Sequence, residues 1–433
     1  TGTEHKQVSR FLLGLITDIH LPGNSSSEPL VAVTRALLDF LYLAQYPTHT
    51  ETTLTALETS LAAFHEHKAI FVELDVRDSF NIPKLHFLEH YANCIRAFGT
   101  TDNYNTESTE RLHIDFAKDA YRATNHRDEF PQMTKWLERR EKVLQHANYI
   151  VWRLQHSGTA QSAHIAGQEI VRWQPPDQAC TLHHRMTRHP TRKAVHLADI
   201  VSTSHSGYGA IHFVAALSRF IVQFNNPLLS RNQIEERAHD IRLPFTTIPI
   251  FHKIKFWNSQ IHGTQTLDSI HVHPHSTDHH GEIIIPARFD TALVRVRNAS
   301  AMQPGQSDIH YEAMRVGRLR VIFSLPKIAL QQFFPGALAD RGPPQHLVYV
   351  EWFSKFRPSP ERNSKMYKVS QLSGNDRGLA SIVPLSLIER SAHLLPKWGR
   401  AVPTHWTSDN VLDECMTFYL NPFKDVHTYF NVY

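Results

Sequence analysis

No stretch of the 433 residues approaches the ~20 apolar residues a membrane span requires, because every apolar run is interrupted by Asp, Arg or Gly. The first apolar segment, FLLGLI, is too short for a secretory signal and lacks a small-residue cleavage site. Only three cysteines occur, Cys94, Cys180 and Cys415; an odd, widely spaced set argues against a disulfide scaffold or a structural zinc site. A reducing compartment is the expectation. Excess charge is also scarce: a formal +4 does not by itself identify a nucleic-acid partner. What is abundant is histidine, 31 residues, which would turn the chain strongly cationic below the ordinary imidazole pKa of ~6.5. Apolar content of 41% leaves ample material for a buried core and for two or three domains.

Residues 1–80 read as helices. VSRFLLGLI is a short one; Val33, Leu37, Phe40, Leu41 and Ala44 form the stripe of a second that stops at Pro47. Leu54, Leu57, Leu61 and Phe64 form the stripe of a third, with Thr50 or Thr52 near its start. Between 81 and 121 lies the stretch NIPKLHFLEHYANCIRAFGTTDNYNTESTERLHIDFAKDAY. Pro83 suits a first helical turn, and His86 and His90, four apart, share a face. Gly99, Asp102, Asn103 and Asn105 then break the chain. Asn105 or Thr106 can cap a following helix with Leu112, Phe116 and Ala120 as its apolar stripe. Glu107 in its first turn is favoured by the helix dipole whatever else it does; Glu110 follows, with His113 three residues further on.

This stretch resembles the Plavaka-type DNA transposases of fungi, relatives of the CACTA and Kyakuja–Dileera–Zisupton elements. The resemblance runs from TGTEHK at the start through ALLDFLYLAQYPTHT (36–50), QMTKWLERREKV (132–143), IIPARFDTALV (284–294) and VYVEWF (348–353) to NPFKDVHTYF (421–430). In CACTA transposases a Pro-Phe-Glu-Arg helix start after a His-containing helix brings the last acid of a DDE triad. Ser108-Thr109-Glu110-Arg111 takes that place here, which makes Glu110 the candidate third acid and metal ligand, with Glu107 as its alternative. His86, His90 and His113 match the pattern as candidate site histidines. The family's RNase H-like core draws its two aspartates from upstream of this segment, and Asp18 and Asp39 do not fit those motifs. The resemblance thus implies the C-terminal part of a transposase, truncated or decayed, acting in the nucleus. Its partners would be transposon ends and target DNA, and Mg²⁺ or Mn²⁺ would serve the complete enzyme. Self-association is left open.

Met133 to Leu154 is a strong amphipathic helix with Leu137, Leu144, Ala147 and Val151 on one face and Lys135, Arg139, Arg140 and Lys142 on the rest. Those cations, with Arg111, can contact phosphates or can form a solvated face paired with Glu138 and Glu141. Residues 155–206 read as a basic flexible linker whose Arg185, Arg188, Arg192 and Lys193 could attach to DNA. A helical connector follows at 207–243, where Ile211, Val214, Leu217 and Ile221 recur at helical spacing up to Pro227. From about Pro244 the period changes to strand, in TTIPIFHKIKFW, SIHVHP, TALVRVR, RLRVIFSL, HLVYVEWF, KMYKVS and GLASIVPLSLI. His271, His273 and His275 alternate along one strand, followed by Asp278, His279 and His280. They could ligate zinc or nickel, or form an exposed edge and loop.

The expected fold class is therefore α+β. A mainly helical half at 1–154, which the resemblance implies is the end of an RNase H-like DDE core with its helical insertion, precedes a barrel- or sandwich-like β-rich domain at 244–433.

Overall fold

A computed structural model describes residues 2–21, 26–106, 110, 112–156, 184–258, 266–278, 280, 282–296, 313–334, 342–372, 379–399 and 401–432. The chain mixes helices and antiparallel sheets and divides into two compact units, Thr1–Cys94 with Cys180–Tyr433, and Ile95–Ala179. The division differs from the expected one. Most of the N-terminal helices belong with the β-rich region rather than with the segment carrying Glu110.

In the larger unit, α1 (Gly2–Ile16), α2 (Glu28–Leu43) and α3 (Glu51–His67) lead the chain. The start of α3 is set by Thr50, whose side chain accepts from the Thr53 amide while Thr53 reaches back to the Thr50 amide. Leu54, Leu57, Leu61 and Phe64 are all buried as their spacing requires, each worth about 1.5–3 kcal/mol of transfer free energy. In α2 the buried face is broader and shifted: Leu38 is buried while Leu41 is exposed. Two short helices follow, α4 (Ile70–Glu73) and α5 (Pro83–Leu88), the latter with Pro83 in its first turn.

The reason α2 is buried nearly all round lies at the other end of the chain. Tyr42 and Tyr46 pack against Phe423, Tyr429 and Phe430, with ring centroids 5.1–6.2 Å apart. The Tyr42 hydroxyl donates to the Phe423 carbonyl, and burial pushes its pKa up to about 12. Arg35, 4% exposed, donates through Nε to both Asp39 oxygens at 2.6 and 2.7 Å and through Nη1 to the Ser364 carbonyl at 2.6 Å. It also sits over the Phe423 ring, and Tyr429 completes the set by donating to Asp39 at 2.8 Å. Asp39 is a structural anion. Asn421 adds a further tie, donating to the Arg10 carbonyl at 2.9 Å.

The strands are β1 (His184–Arg185), β2 (Arg192–His196), β3 (Thr247–Phe251), β4 (Lys253–Asn258), β5 (Thr266–His273), β6 (Ser276–Thr277), β7 (Ile283–Ile285) and β8 (Arg288–Phe289). Then come β9 (Thr291–Arg295), β10 (Met314–Phe323), β11 (Leu347–Trp352), β12 (Lys368–Ser370), β13 (Ala380–Pro384), β14 (Ile388–Ala392), β15 (Leu394–Pro396) and β16 (Thr417–Leu420). The largest sheet runs β13-β11-β10-β3-β2, and β10 is its spine. One edge of β10 pairs with β11; the other is shared between β9 near Met314–Arg318 and β3 at Ile322–Phe323. A Cβ on Gly317 would come 2.1 Å from Val350 Cγ1, so only glycine lets these two strands close.

The run TTIPIFHKIKFW is two strands rather than one. The chain turns at His252 from the large sheet into a second one, β1-β4-β5-β8. Ile254, Phe256, Ile270 and Val272 from that second sheet share a core with Ile248, Val321, Phe323 and Tyr349 from the first, and with Phe213 and Leu217 of the helix Phe213–Asn225. Two sheets around one core resemble a sandwich; among the described residues the strand order has free ends and no sheet closes into a barrel. In that helix the buried face is Phe213, Leu217 and Ile221, with Val214 exposed and Ile211 exposed just ahead of it. Smaller sheets, β12-β16-β15 and the β6–β7 ribbon, complete the unit.

The expected linker is corrected in part. Residues 184–206 are built into the fold: β1 pairs with β4, β2 with β3, and Leu197–Val201 is a short helix. Val195 and Ile200 are buried in the core, anchors that the surrounding cations obscure in the sequence. Residues 157–183 of that linker lie outside the described residues.

The smaller unit contains a π-helical stretch His113–Lys118, a turn of helix Asp119–Arg122 and the 28-residue helix Glu129–His156. Gln132 fixes the turn between the last two, bonding Asn125 through both backbone and side chain at 3.2 and 2.7 Å. His126 and Asp128 in that turn have positive φ, which histidine and aspartate tolerate better than most residues.

Candidate functional site

Glu110 sits on the helical segment that enters the π-helical stretch. Its amide donates to the Thr106 carbonyl at 2.8 Å; residues 107–109, and with them the start of the expected helix, lie outside the described residues. Its side chain is exposed, with Oε1 3.4 Å from the Thr106 hydroxyl. His113 is exposed one turn on. Glu107 and Arg111 lie outside the described residues.

The expected apolar stripe beyond Glu110 is corrected. Leu112 and Phe116 are 45% and 49% exposed, and only Ala120 is buried. Hydrogen bonds reaching five residues along the chain widen each turn, so residues four apart drift off a common face.

His86 and His90 form a pair in the larger unit. The single helix expected around them is two, α5 and α6 (Tyr91–Phe98), with His90 in the intervening turn. Their Nε2 atoms are 3.2 Å apart and both rings are exposed. One nitrogen must be protonated and the other bare for that contact to be a hydrogen bond. The Glu89 carboxylate lies 3.5 Å from His86 Nδ1.

The cations divide between the units. On the long helix, Lys135 and Arg139 are exposed; Lys142 donates to Glu138 at 2.5 Å, a bond that holds the Glu138 carboxyl below its usual pKa. Arg140 is half-buried, with its guanidinium over Phe116 at 5.4 Å and over Trp136 at 5.6 Å. The expected stripe on this helix is mostly open: Leu144 and Val151 are more than half or half exposed, Ala147 is exposed, and Leu137 is half-buried. In the larger unit Arg185, Arg188, Arg192 and Lys193 are exposed along β1, β2 and the turn between them. Both strands end their sheets, where cations also discourage edge-to-edge pairing.

The histidine row resolves into separate roles. Burial and the nearby Arg288 hold the His271 pKa down, and its ring lies 3.5 Å from Asp290. His273 Nδ1 lies 3.2 Å from the Pro274 carbonyl, and His275 Nδ1 accepts from the Ala287 amide at 2.9 Å. Asp278 accepts from the His280 and Glu282 amides, as a turn-former does, and His279 lies outside the described residues. Among the described residues no three His, Cys, Asp or Glu side chains converge as a metal-holding group.

One feature carried no sequence signal: a groove in the larger unit, built from separate stretches around 203–209, 268–291, 318–320, 391–394, 408–413 and 424. Comparison with known protein families, with curated proteins and with solved structures returns no match.

Proposed function

We propose that this chain is the C-terminal portion of a cut-and-paste DDE-type DNA transposase of the Plavaka type, with Glu110 as the last acid of the triad. The observation that supports the reading is the position of Glu110: a helical carboxylate, exposed rather than sealed in apolar packing, where an ion and a DNA strand could approach. The same unit carries Lys135, Arg139 and Lys142 on a long exposed helix, the type of surface that contacts phosphates.

Two-ion phosphodiester chemistry needs several convergent oxygen ligands around ions about 4 Å apart. The donor set here does not fit such a centre by itself, since Glu110 offers one carboxylate and Asp39 is held by Arg35 and Tyr429. The chain alone should not cut DNA in the presence of Mg²⁺ or Mn²⁺. Joined to an upstream segment bearing two strand-borne aspartates it should cut, in the nucleus of its host, and Glu110→Gln should lower cutting by at least about 100-fold. Robust cutting by the chain alone, or full activity of the joined protein carrying Glu110→Gln, would refute the assignment.

The exposed cations also favour a second reading, a non-catalytic DNA- or protein-binding module descended from a transposase. It predicts salt-sensitive DNA binding with no metal requirement.

A further inference from the structure

The groove in the larger unit has a volume of about 1130 Å³, room enough for a nucleotide. Among the charges that line it are Arg318 and Arg320, two apart on β10 on either side of Leu319. Both guanidinium groups converge on one carboxylate. Arg318, 7% exposed, donates to the two oxygens of Asp413 at 2.5 and 3.2 Å, and Arg320 donates to the same group at 3.3 Å.

The partners differ in how firmly they are held. Arg320 is braced by Glu351 at 2.8 Å and lies over the Phe289 ring at 5.0 Å, on a core strand. Asp413 stands on the one-turn helix Val411–Glu414 with its side chain 54% exposed. A second cavity of about 200 Å³ is also bordered by Arg318 and Asp413, so that carboxylate is a thin partition with open space on both sides. The loop at 203–209, rich in hydroxyls and glycine, also lines the groove. A Cβ on Gly207 would fall 2.1 Å from the Ser202 carbonyl oxygen, and Gly209 has φ +67° with Arg320 3.4 Å from where its Cβ would be. At Gly209 the loop backbone therefore lies against Arg320.

Arg288, Arg318, Arg320 and Lys424 line the groove together with four aspartates, so its formal charge balances only while Asp413 stays in place. A planar guanidinium fork donates to phosphate oxygens in the geometry it offers a carboxylate. We infer that the groove binds the terminal phosphate of a nucleotide or of a nucleic-acid end on Arg318 and Arg320, in exchange for Asp413. This rests on no part of the transposase reading, because none of these residues belongs to the Glu110 unit.

Titration calorimetry of the whole chain at low salt tests it, using inorganic phosphate, dAMP, and one oligonucleotide with either a 5′-phosphate or a 5′-hydroxyl. The expected result is competition between phosphate and dAMP; competition by the 5′-phosphorylated strand as well identifies a nucleic-acid end as the source, and its failure to compete identifies a free nucleotide. Asp413→Asn should tighten dAMP binding about tenfold by removing the competing anion. Arg320→Gln should abolish it with an unchanged circular dichroism spectrum; this variant is preferred because removing buried Arg318 also removes a support of the fold. Absence of binding at millimolar phosphate, equal binding of the 5′-hydroxyl strand, or an Asp413→Asn variant no tighter than the parent would overturn the inference.

Discussion

Replacing Arg35 by alanine tests the contact that joins the two ends of the larger unit. The guanidinium is 5% exposed at its side chain and satisfies both oxygens of Asp39, itself only 19% exposed. Breaking a buried pair by removing one partner costs about 3–5 kcal/mol, since the remaining charge stays desolvated. Asp39 would keep the Tyr429 hydroxyl, which favours the lower end of that range. Loss of the cation over Phe423 adds about 0.5–2 kcal/mol. A total near ~4 kcal/mol is expected, read as the shift in urea unfolding followed by tryptophan fluorescence. Tyr429→Phe should cost about 1 kcal/mol alone and should be non-additive with Arg35→Ala, because both act on one carboxylate. A loss below about 1 kcal/mol for Arg35→Ala would refute the reasoning, since no buried anion could then have been left unpaired. The same series bears on catalysis: Asp39→Asn should destabilise the fold, as expected of a structural anion and not of an ion ligand.

Acid should weaken the fold through His393 and His252, both held at a pKa of about 4 by burial. Asn421 reinforces this at His393: its Oδ1 accepts from the Phe423 amide, so its Nδ2 is the end that donates to Nδ1, which must be bare. The unfolded chain takes up a proton near ~6.5 while the folded one does not, so stability is full above that pH and falls as pH drops towards about 4. His393 accounts for about 3 kcal/mol of that loss, and His393→Asn should flatten the profile of unfolding midpoint against pH. Neutralising Arg139 and Lys142 should weaken DNA binding uniformly across sequences and lower the log K against log salt slope by about 0.9 per lost phosphate contact; an unchanged slope in a filter-binding titration removes this helix from the interface. Gly207→Ala should destabilise by at least about 1 kcal/mol, because its Cβ would overlap the Ser202 carbonyl; a neutral effect on thermal unfolding would mean the loop relaxes freely.

Local signals were legible where local physics decides. The Leu54, Leu57, Leu61 and Phe64 stripe is read directly from spacing, with Thr50 as one of two threonines expected near its start, and β10 and β11 from their β-branched and aromatic runs. Misreadings occur where partners are remote. Leu41 fits the α2 stripe by spacing, yet is exposed because the C-terminal aromatics cover a different face. His252 gives no hint of a corner, since TTIPIFHKIKFW alternates straight through it. Leu112 and Phe116 miss one face because nothing in HIDFAK announces a π-helical turn. The Arg318, Arg320 and Asp413 cluster is invisible because Asp413 is separated from the two arginines by 95 and 93 residues.

Two of the stretches that carry the family resemblance, ALLDFLYLAQYPTHT and NPFKDVHTYF, meet in space as one aromatic cluster, Tyr42 and Tyr46 against Phe423, Tyr429 and Phe430. Packing accounts for those residues: they close the larger unit, and changing them should act on stability first. The same explanation does not extend to the stretch around Glu110. Glu110, Leu112, His113 and Phe116 are all exposed, so burial places no demand on an acid at 110 or on a histidine at 113. That contrast places the search for folding determinants at the aromatic cluster, where substitutions at Tyr42, Tyr46, Phe423 and Tyr429 should act, and not at the exposed side chains of Glu110 and His113.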